Sequence, residues 1–165
     1  MSGGPCAGDG TGEAGPPRSQ KSLRSMYVET GGDNWFNHSG WLVEPNHCKW
    51  FGLTCDDDGY VAEIMLGGNN VSGRFPANFI LSLYNLSVLD LSNNQLTGLM
   101  IGTGMDDNGV VLNDTSVFFD LCELVHIDIS QNLLSGEVDV LFAPASEYDN
   151  FSHNKFVSFD SFKVS

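Results

Sequence analysis

The chain has 165 residues, of which 41% are hydrophobic, and its formal net charge is −14. This length suits one domain with a real core, or two small ones, and no apolar run approaches the length of a membrane span. The negative charge argues against nucleic acid and anionic lipid as partners, because both attract Lys and Arg. Solubility alone accounts for such a charge, although a basic partner would also suit it.

The N-terminal segment is rich in Gly and Pro. Residues 1–20 carry almost nothing apolar to bury, so we expect them to be disordered. No apolar h-region occurs in the first 22 residues, so no signal peptide is expected there. From residue 19, Leu23, Met26 and Tyr27 recur at helical spacing, and Gly31 with Gly32 should end that helix.

An aromatic cluster and a hairpin are predicted next. The three tryptophans, Trp35, Trp41 and Trp50, lie close together in the sequence, and such a density of rings indicates one small core. Residues 49–55 and 60–66 have strand character, and the Asp-Gly pair between them predicts a hairpin. The three aspartates of this turn lack the alternating ligand spacing of a calcium loop, so a plain turn is favoured.

One pattern recurs from residue 61 onward. Its best copy is LDLSNNQLTG at 89–98, in which alternating leucines predict a short strand with one buried face. The asparagines of successive copies are separated by 25, 38 and 22 residues, and periods of about 20–29 residues are typical of leucine-rich repeats. The sequence therefore predicts about four coils, with an insertion of roughly 13 residues within 99–115.

The repeated asparagine has a structural interpretation. Each strand must turn inside the protein, where backbone N–H and C=O groups need partners, and an asparagine amide both donates and accepts. We therefore expect a buried asparagine ladder through successive coils. Its members are Asn69, Asn94, Asn132 and Asn154. The fourth copy is degraded, because Asp149 takes an apolar position.

These residues resemble the plant-type leucine-rich repeat family over about residues 23–158. LDLSNNQLTG and IDISQNLLSG are similar to its repeat, and ETGGDNW, HCKWFGLTC and DGYVAEIML are similar to its N-terminal cap. The resemblance implies an α/β solenoid, a right-handed superhelix with a parallel sheet on the concave side and 3₁₀ or short helical turns on the convex side. It places the cap at 21–60 and the repeats at 61–165.

The resemblance also implies a disulfide between Cys48 and Cys55. The spacing of the four cysteines, at 6, 48, 55 and 122, by itself predicts neither a disulfide framework nor a zinc site.

In such a solenoid, the side chains between the buried strand positions line the concave face, and in this family that face binds ligands. The predicted concave binding residues are Glu63, Met65, Val88, Asp90, Ser92, Asn93, His126, Asp128, Ser130, Gln131, Tyr148 and Asn150. His126, Asp90 and Asp128 could imitate a metal or acid–base cluster, but stacked strands bring side chains together in any solenoid. No nucleophile elbow, Walker loop or zinc motif is present. We therefore predict no catalytic residue, metal or cofactor.

Two further features concern the surface. The 99–115 insertion surrounds Asp106 to Gly109 with apolar residues, which predicts a hairpin that folds back on the solenoid or, less favoured, meets a partner. Glycosylation is predicted at the sequons of Asn37, Asn70, Asn85 and Asn113. The sequon of Asn150 lies on the predicted concave face, where a glycan would obstruct a protein ligand.

Two main functions compete. The first is a non-catalytic binding module, like the ectodomain of a receptor-like or inhibitor-like protein, with a protein, peptide or glycan ligand and an extracellular or secretory location. The alternative is a structural subunit docked in a larger assembly through the insertion or through the last coil, whose Phe156 would otherwise be exposed. An enzyme or an ice-binding surface ranks below both, because ice binding needs a regular Thr/Ser row and the predicted columns vary.

Overall fold

The computed structural model describes residues 16–80, 82–100, 104–105, 111–112, 118, 121–137 and 143–157. Two helices lie in these residues, α1 (Pro16–Glu29) and α2 (Ala77–Ile80), with 3₁₀ helices at Gly32–Asn34 and His47–Lys49. The strands are β1 (Leu53–Cys55), β2 (Val61–Met65), β3 (Ser72–Arg74), β4 (Val88–Asp90), β5 (Gln95–Met100), β6 (Gly104–Met105), β7 (Val111–Leu112), β8 (His126–Asp128), β9 (Leu133–Glu137), β10 (Tyr148–Asn150) and β11 (Lys155–Val157).

The first sheet runs through the coils in the order β1-β2-β4-β8-β10. β1 is antiparallel to β2, as the hairpin prediction requires, and the later pairs are parallel. Ile64, Leu89 and Ile127 stand opposite one another in register and are fully buried. The repeat pattern therefore set the register, and the predicted solenoid fold is confirmed.

A second parallel sheet, in the order β11-β9-β5-β3, follows the asparagine turns. Each coil thus contributes one strand to each sheet, with a tight turn between them. Helix α2 supplies a short helical turn on the return path of the first coil. The second sheet was not predicted from the sequence, because its strands are short and their glycines, such as Gly73 and Gly98, are poor strand formers.

Helix α1 begins at Pro16, so the disorder predicted over 1–20 is wrong at residues 16–20. Proline suits a first helical turn, where its missing N–H would have no intrahelical partner. Ser19 is buried against the fold as well. The helix ends as predicted, because Gly31 adopts a left-handed φ of 70°. The rest of the predicted leader lies outside the described residues.

The aromatic residues of this region form one cluster next to the first coil. Trp41 lies 4.9 Å from Trp35 and 4.9 Å from Trp50, measured between ring centroids, and Tyr27 stacks on Trp41 at 5.7 Å. Each indole N–H donates to a backbone carbonyl. Arg24 lies over the Trp50 ring at 5.6 Å. The N-terminal segment therefore extends the core of the coils and covers the end of the first coil, which would otherwise be exposed to solvent.

Cys48 and Cys55 form the predicted disulfide, which ties the 3₁₀ helix before β1 to the end of that strand. Cys122 is disulfide-bonded too, contrary to the expectation from spacing alone. No helix among the described residues is long and apolar enough to cross a membrane.

The insertion contains an antiparallel pair of strands, with Gly104 opposite Leu112 and Met105 opposite Val111. This pairing has the geometry of the predicted hairpin. Residues 101–103, 106–110 and 113–117 lie outside the described part of the chain, and so does any contact they make with the solenoid.

Candidate functional site: the concave sheet face

The outward positions of the first sheet form two columns. The first contains Glu63, Val88, His126 and Tyr148, and the second contains Met65, Asp90, Asp128 and Asn150. Met65 is 45% exposed and Tyr148 is 46% exposed, while the residues between them are partly covered by their neighbours. The sheet residues predicted for the concave face thus lie together on one surface.

In three of the four strands, the second-column residue (Asp90, Asp128 or Asn150) begins the same polar turn. Asp90 Oδ1 accepts from the Ser92 amide at 2.9 Å and from its hydroxyl at 2.6 Å. Asp128 accepts from Ser130 in the same way, at 3.0 and 2.6 Å. An Asp or Asn followed two residues later by Ser is the signal of such a turn. The sequence carries this signal in three coils, although Ser92 and Ser130 were predicted only as residues of the binding face.

This turn removes one predicted binding residue from the surface. Ser130 is only 4% exposed, and its hydroxyl donates to Asp128. Ser130 is therefore not exposed on the concave face as the sequence led us to expect, because its side chain is buried and its hydroxyl is paired with Asp128. Ser92 stays partly exposed but uses its hydroxyl in the same bond.

Asn93 and Gln131 lie beyond the strands, on the turns. Their φ values are 55° and 54°, in the left-handed region, and Gly68 and His153 occupy the same place in their own coils with φ of 61° and 56°. Both side chains are exposed. They therefore border the sheet face at its turn edge and do not stand on it.

The asparagine ladder lies behind this edge. Each ladder amide donates to a backbone carbonyl of the preceding coil, at 2.9 Å (Asn94 to Leu66), 2.8 Å (Asn132 to Leu91) and 2.8 Å (Asn154 to Ile129). Asn69 instead exchanges hydrogen bonds with the backbone of Asn37, at 2.8 and 2.9 Å. The ladder thus continues from the coils into the N-terminal segment and fixes the edge of the concave face.

An aromatic pair stands on the opposite side of the face. The rings of His126 and Tyr148 stack in parallel, with centroids 4.4 Å apart and planes 10° apart. Sheet register places these rings on adjacent strands. Each ring therefore covers one face of the other, and Tyr148 remains 46% exposed beside the strand that carries Asp128.

The concave acids do not assemble a metal centre. Among the described residues, only His47, Cys48 and Cys55 bring three potential ligand atoms close together, and both of those cysteines are in the disulfide. His47 is 5% exposed, and its Nε2 has no hydrogen-bond partner. Burial lowers the pKa of His47, with a bond to the Gly59 carbonyl opposing that shift. A neutral, structural histidine fits this position.

The sequons differ in accessibility. Asn85 is exposed, and its amide donates to Asp56 at 2.9 Å, which holds the pKa of that carboxyl below its usual value. Asn70 is partly buried and donates to a backbone carbonyl at 2.9 Å. Asn37 is partly buried too, and Asn113 lies outside the described residues.

Comparison with known proteins places these features in a family. The Leucine Rich Repeat family profile matches residues 85–103. The leucine-rich repeat receptor-like serine/threonine-protein kinase RGI4 of Arabidopsis thaliana is 32% identical over 103 residues, which cover 62% of this chain and 8% of that protein. The chain is a plant-type leucine-rich repeat protein.

Solved leucine-rich repeat structures share its fold. The ectodomain of the Arabidopsis receptor kinase HAESA, in complex with an N-terminally extended IDA peptide hormone ligand, matches with a TM-score of 0.64 and 24% identity, covering 85% of this chain and 21% of that one. The ectodomain of the receptor kinase SOBIR1 from Arabidopsis thaliana matches with a TM-score of 0.58 and 20% identity, covering 84% and 67%. This leucine-rich repeat chain spans a small fraction of the length of RGI4.

Proposed function

We propose that this leucine-rich repeat chain is a non-catalytic binding module that holds a peptide or protein segment on its concave sheet face. The observation that carries the proposal is the open face itself, on which Met65 and Tyr148 remain nearly half exposed while the inward residues of β2, β4 and β8 (Ile64, Leu89 and Ile127) are fully buried. Apolar and aromatic groups held outward on a rigid sheet are suitable anchors for a ligand. The peptide complex of HAESA, which has the same fold, supports a peptide as the ligand class.

The same face argues against catalysis. One oxygen of Asp90 and of Asp128 is already bonded to a neighbouring serine. His126 stacks flat against Tyr148. A general base must reach a substrate proton, whereas these three side chains are engaged in contacts within the face.

Selection from a random displayed peptide library tests the proposal. We expect peptides that bind the purified chain and lose binding when Met65 or Tyr148 is changed to Ala. Leu133→Ala is the matched control, because Leu133 is 47% exposed but stands in the second sheet. If no peptide is enriched, or if binding survives Met65→Ala and Tyr148→Ala, the concave face is not the binding site.

We also propose an oxidising, secretory or extracellular location. The disulfide of Cys48 with Cys55 supports it, because disulfides persist in oxidising compartments. Asn85 is the exposed sequon among those described and is the one we expect to carry a glycan. Treating the native protein with an N-glycosidase should shift its mobility, and Asn85→Gln should remove part of that shift; an unshifted native protein would contradict the proposal.

A second candidate function rests on the last described coil. Its Phe151 and Phe156 pack against the core but remain only partly buried, and β10 and β11 are the terminal strands of the two sheets. Docking of this end in a larger assembly would cover those rings. A purified chain that sediments as a monomer, unfolds cooperatively and binds no hydrophobic dye would reject this candidate.

A further inference from the structure

The charge of the concave face is one-sided. Glu63, Asp90 and Asp128 place three carboxylates among the eight outward positions of β2, β4, β8 and β10, and none of those positions holds Lys or Arg. A sheet face that carries these negative charges attracts a positively charged ligand segment.

The two aspartates are held in place before any ligand arrives. They stand opposite each other on adjacent strands, which lie about 4.8 Å apart. Each is fixed through Oδ1 by the amide and the hydroxyl of the serine two residues later. A fixed carboxylate loses little side-chain entropy when it pairs, so more of the interaction contributes to affinity.

The Asp90 carboxylate lies over Gly67, the glycine of the first coil. A Cβ built on Gly67 would lie 3.0 Å from Asp90 Oδ1 and 3.3 Å from Oδ2. The missing side chain at Gly67 therefore leaves the room that the Asp90 carboxylate occupies.

The aromatic pair completes the arrangement. His126 and Asp128 are two residues apart on one face of β8, about 7 Å along the strand. A guanidinium group stacks on aromatic faces and pairs with carboxylates through its planar fork, whereas an ammonium is a compact point charge. The exposed Tyr148 ring next to a fixed carboxylate pair therefore favours arginine over lysine.

We propose that the concave face selects a peptide bearing an arginine, an inference that rests on the proposed function. The guanidinium group contacts the Tyr148–His126 pair and donates to the Asp128 carboxylate, and Asp90 supplies a neighbouring negative charge. The rest of the peptide lies across the strands toward Met65. This assigns the ligand class of the face: an extended, cationic peptide segment.

The fourth coil shows which substitution of the aspartates should preserve the fold. Asn150 occupies the place of the aspartates, and its Oδ1 accepts from the Ser152 amide at 3.2 Å and from its hydroxyl at 2.8 Å. An asparagine therefore maintains the same turn without the charge. The double variant Asp90→Asn/Asp128→Asn should fold as the wild type does.

A matched control removes the same charge elsewhere. Asp57 and Asp58 are exposed in the hairpin turn, away from the sheet face. Asp57→Asn/Asp58→Asn changes the net charge by the same amount as the concave variant. Any general effect of charge on binding will appear in both double variants.

The experiment uses peptides selected from the random library, with each conserved arginine replaced by citrulline, a neutral isostere. We expect the selected peptides to share an arginine position and to bind the wild-type chain and the Asp57/Asp58 control about tenfold more tightly than their citrulline forms, a difference of about 1.4 kcal/mol. The Asp90/Asp128 variant should bind both forms equally, and raising the salt concentration should weaken the arginine form.

The outcomes separate the two proposals. Peptides that require Tyr148 but share no arginine, or that bind equally well as citrulline forms, would overturn the ligand class while the binding module stands. Discrimination that survives in the Asp90/Asp128 variant would also overturn it. Failure to select any peptide, or binding unaffected by Tyr148→Ala and Met65→Ala, would reject the binding module and this inference with it.

Discussion

Replacing Asn94 by Ala should be among the most destabilising substitutions in the chain. Its Oδ1 accepts the backbone N–H groups of Asn69 and Val71, both at 2.9 Å. Its Nδ2 donates to three backbone carbonyls, at 2.9, 3.0 and 3.1 Å. The side chain thus fastens the turn of its own coil and the turn of the coil before it, and an alanine makes none of these bonds.

The size of the effect follows from the two amides. Each buried N–H left without a partner costs about 1–3 kcal/mol, so Asn94→Ala should lose about 4 kcal/mol. A domain of this kind has a free energy of unfolding of about 5–15 kcal/mol, so the loss is large. Asn154→Ala should cost about half as much, because Asn154 lies in the last described coil, is only partly buried, and its Oδ1 accepts from the Leu134 amide of the preceding coil.

Urea unfolding followed by tryptophan fluorescence measures both variants, since Trp35, Trp41 and Trp50 report on the aromatic cluster. The midpoint should fall with an unchanged slope, which indicates a change of stability and not of compactness. A loss below about 1 kcal/mol for Asn94→Ala, or a loss no larger than that of Asn154→Ala, would refute the reasoning that the ladder satisfies buried backbone groups.

Three other substitutions test the scaffold. His47→Gln should flatten the dependence of the free energy of unfolding on pH. Because the folded pKa of His47 is lowered, the stability that neutral His47 provides is complete above the unfolded pKa of about 6.5 and is lost as the pH falls below it. If the wild-type free energy of unfolding changes no more steeply with pH than that of the variant in this range, the prediction is wrong. Removing the Cys48–Cys55 bridge by serine substitution at both positions should cost about 2.5 kcal/mol in urea unfolding for a loop this short, and an unchanged midpoint would show that the bridge adds nothing. Gly73→Ala should lower the stability more than Gly68→Ala, although both glycines have positive φ. A Cβ at Gly73 would lie 2.7 Å from a backbone carbonyl oxygen of α1, whereas the nearest atom to a Cβ at Gly68 is 3.8 Å away. Equal decreases in the thermal unfolding midpoint would rule out that clash.

The sequence predicted the first sheet well because its signal is periodic. Leu89 and Ile127 sit at equivalent places of their repeats, and stacking equivalent places sets the register without further information. The columns of the concave face followed from that register alone. The turns were harder to predict: alternation made Ser130 an exposed residue, but its hydroxyl pairs with Asp128 and its side chain is buried.

Features that depend on distant contacts could not be read in this way. Helix α1 begins at Pro16 because its later residues, such as Leu23 and Met26, pack into the core beside the tryptophans; their burial stabilises a first turn that has little helical propensity of its own. The bonding of Cys122 depends on how the chain folds over many residues, and spacing does not determine such pairings. The stacking of His126 on Tyr148 follows from register, but the choice of parallel rings is a matter of local packing.

The most direct test of the central claim is photo-crosslinking of a selected peptide to the chain. A photoreactive phenylalanine analogue is placed at Met65, which is exposed on the concave sheet, or at Leu133, which is comparably exposed on the second sheet. A binding surface on the concave face predicts efficient crosslinking from position 65 and only background from position 133. Crosslinking from position 133 with none from position 65 would contradict it.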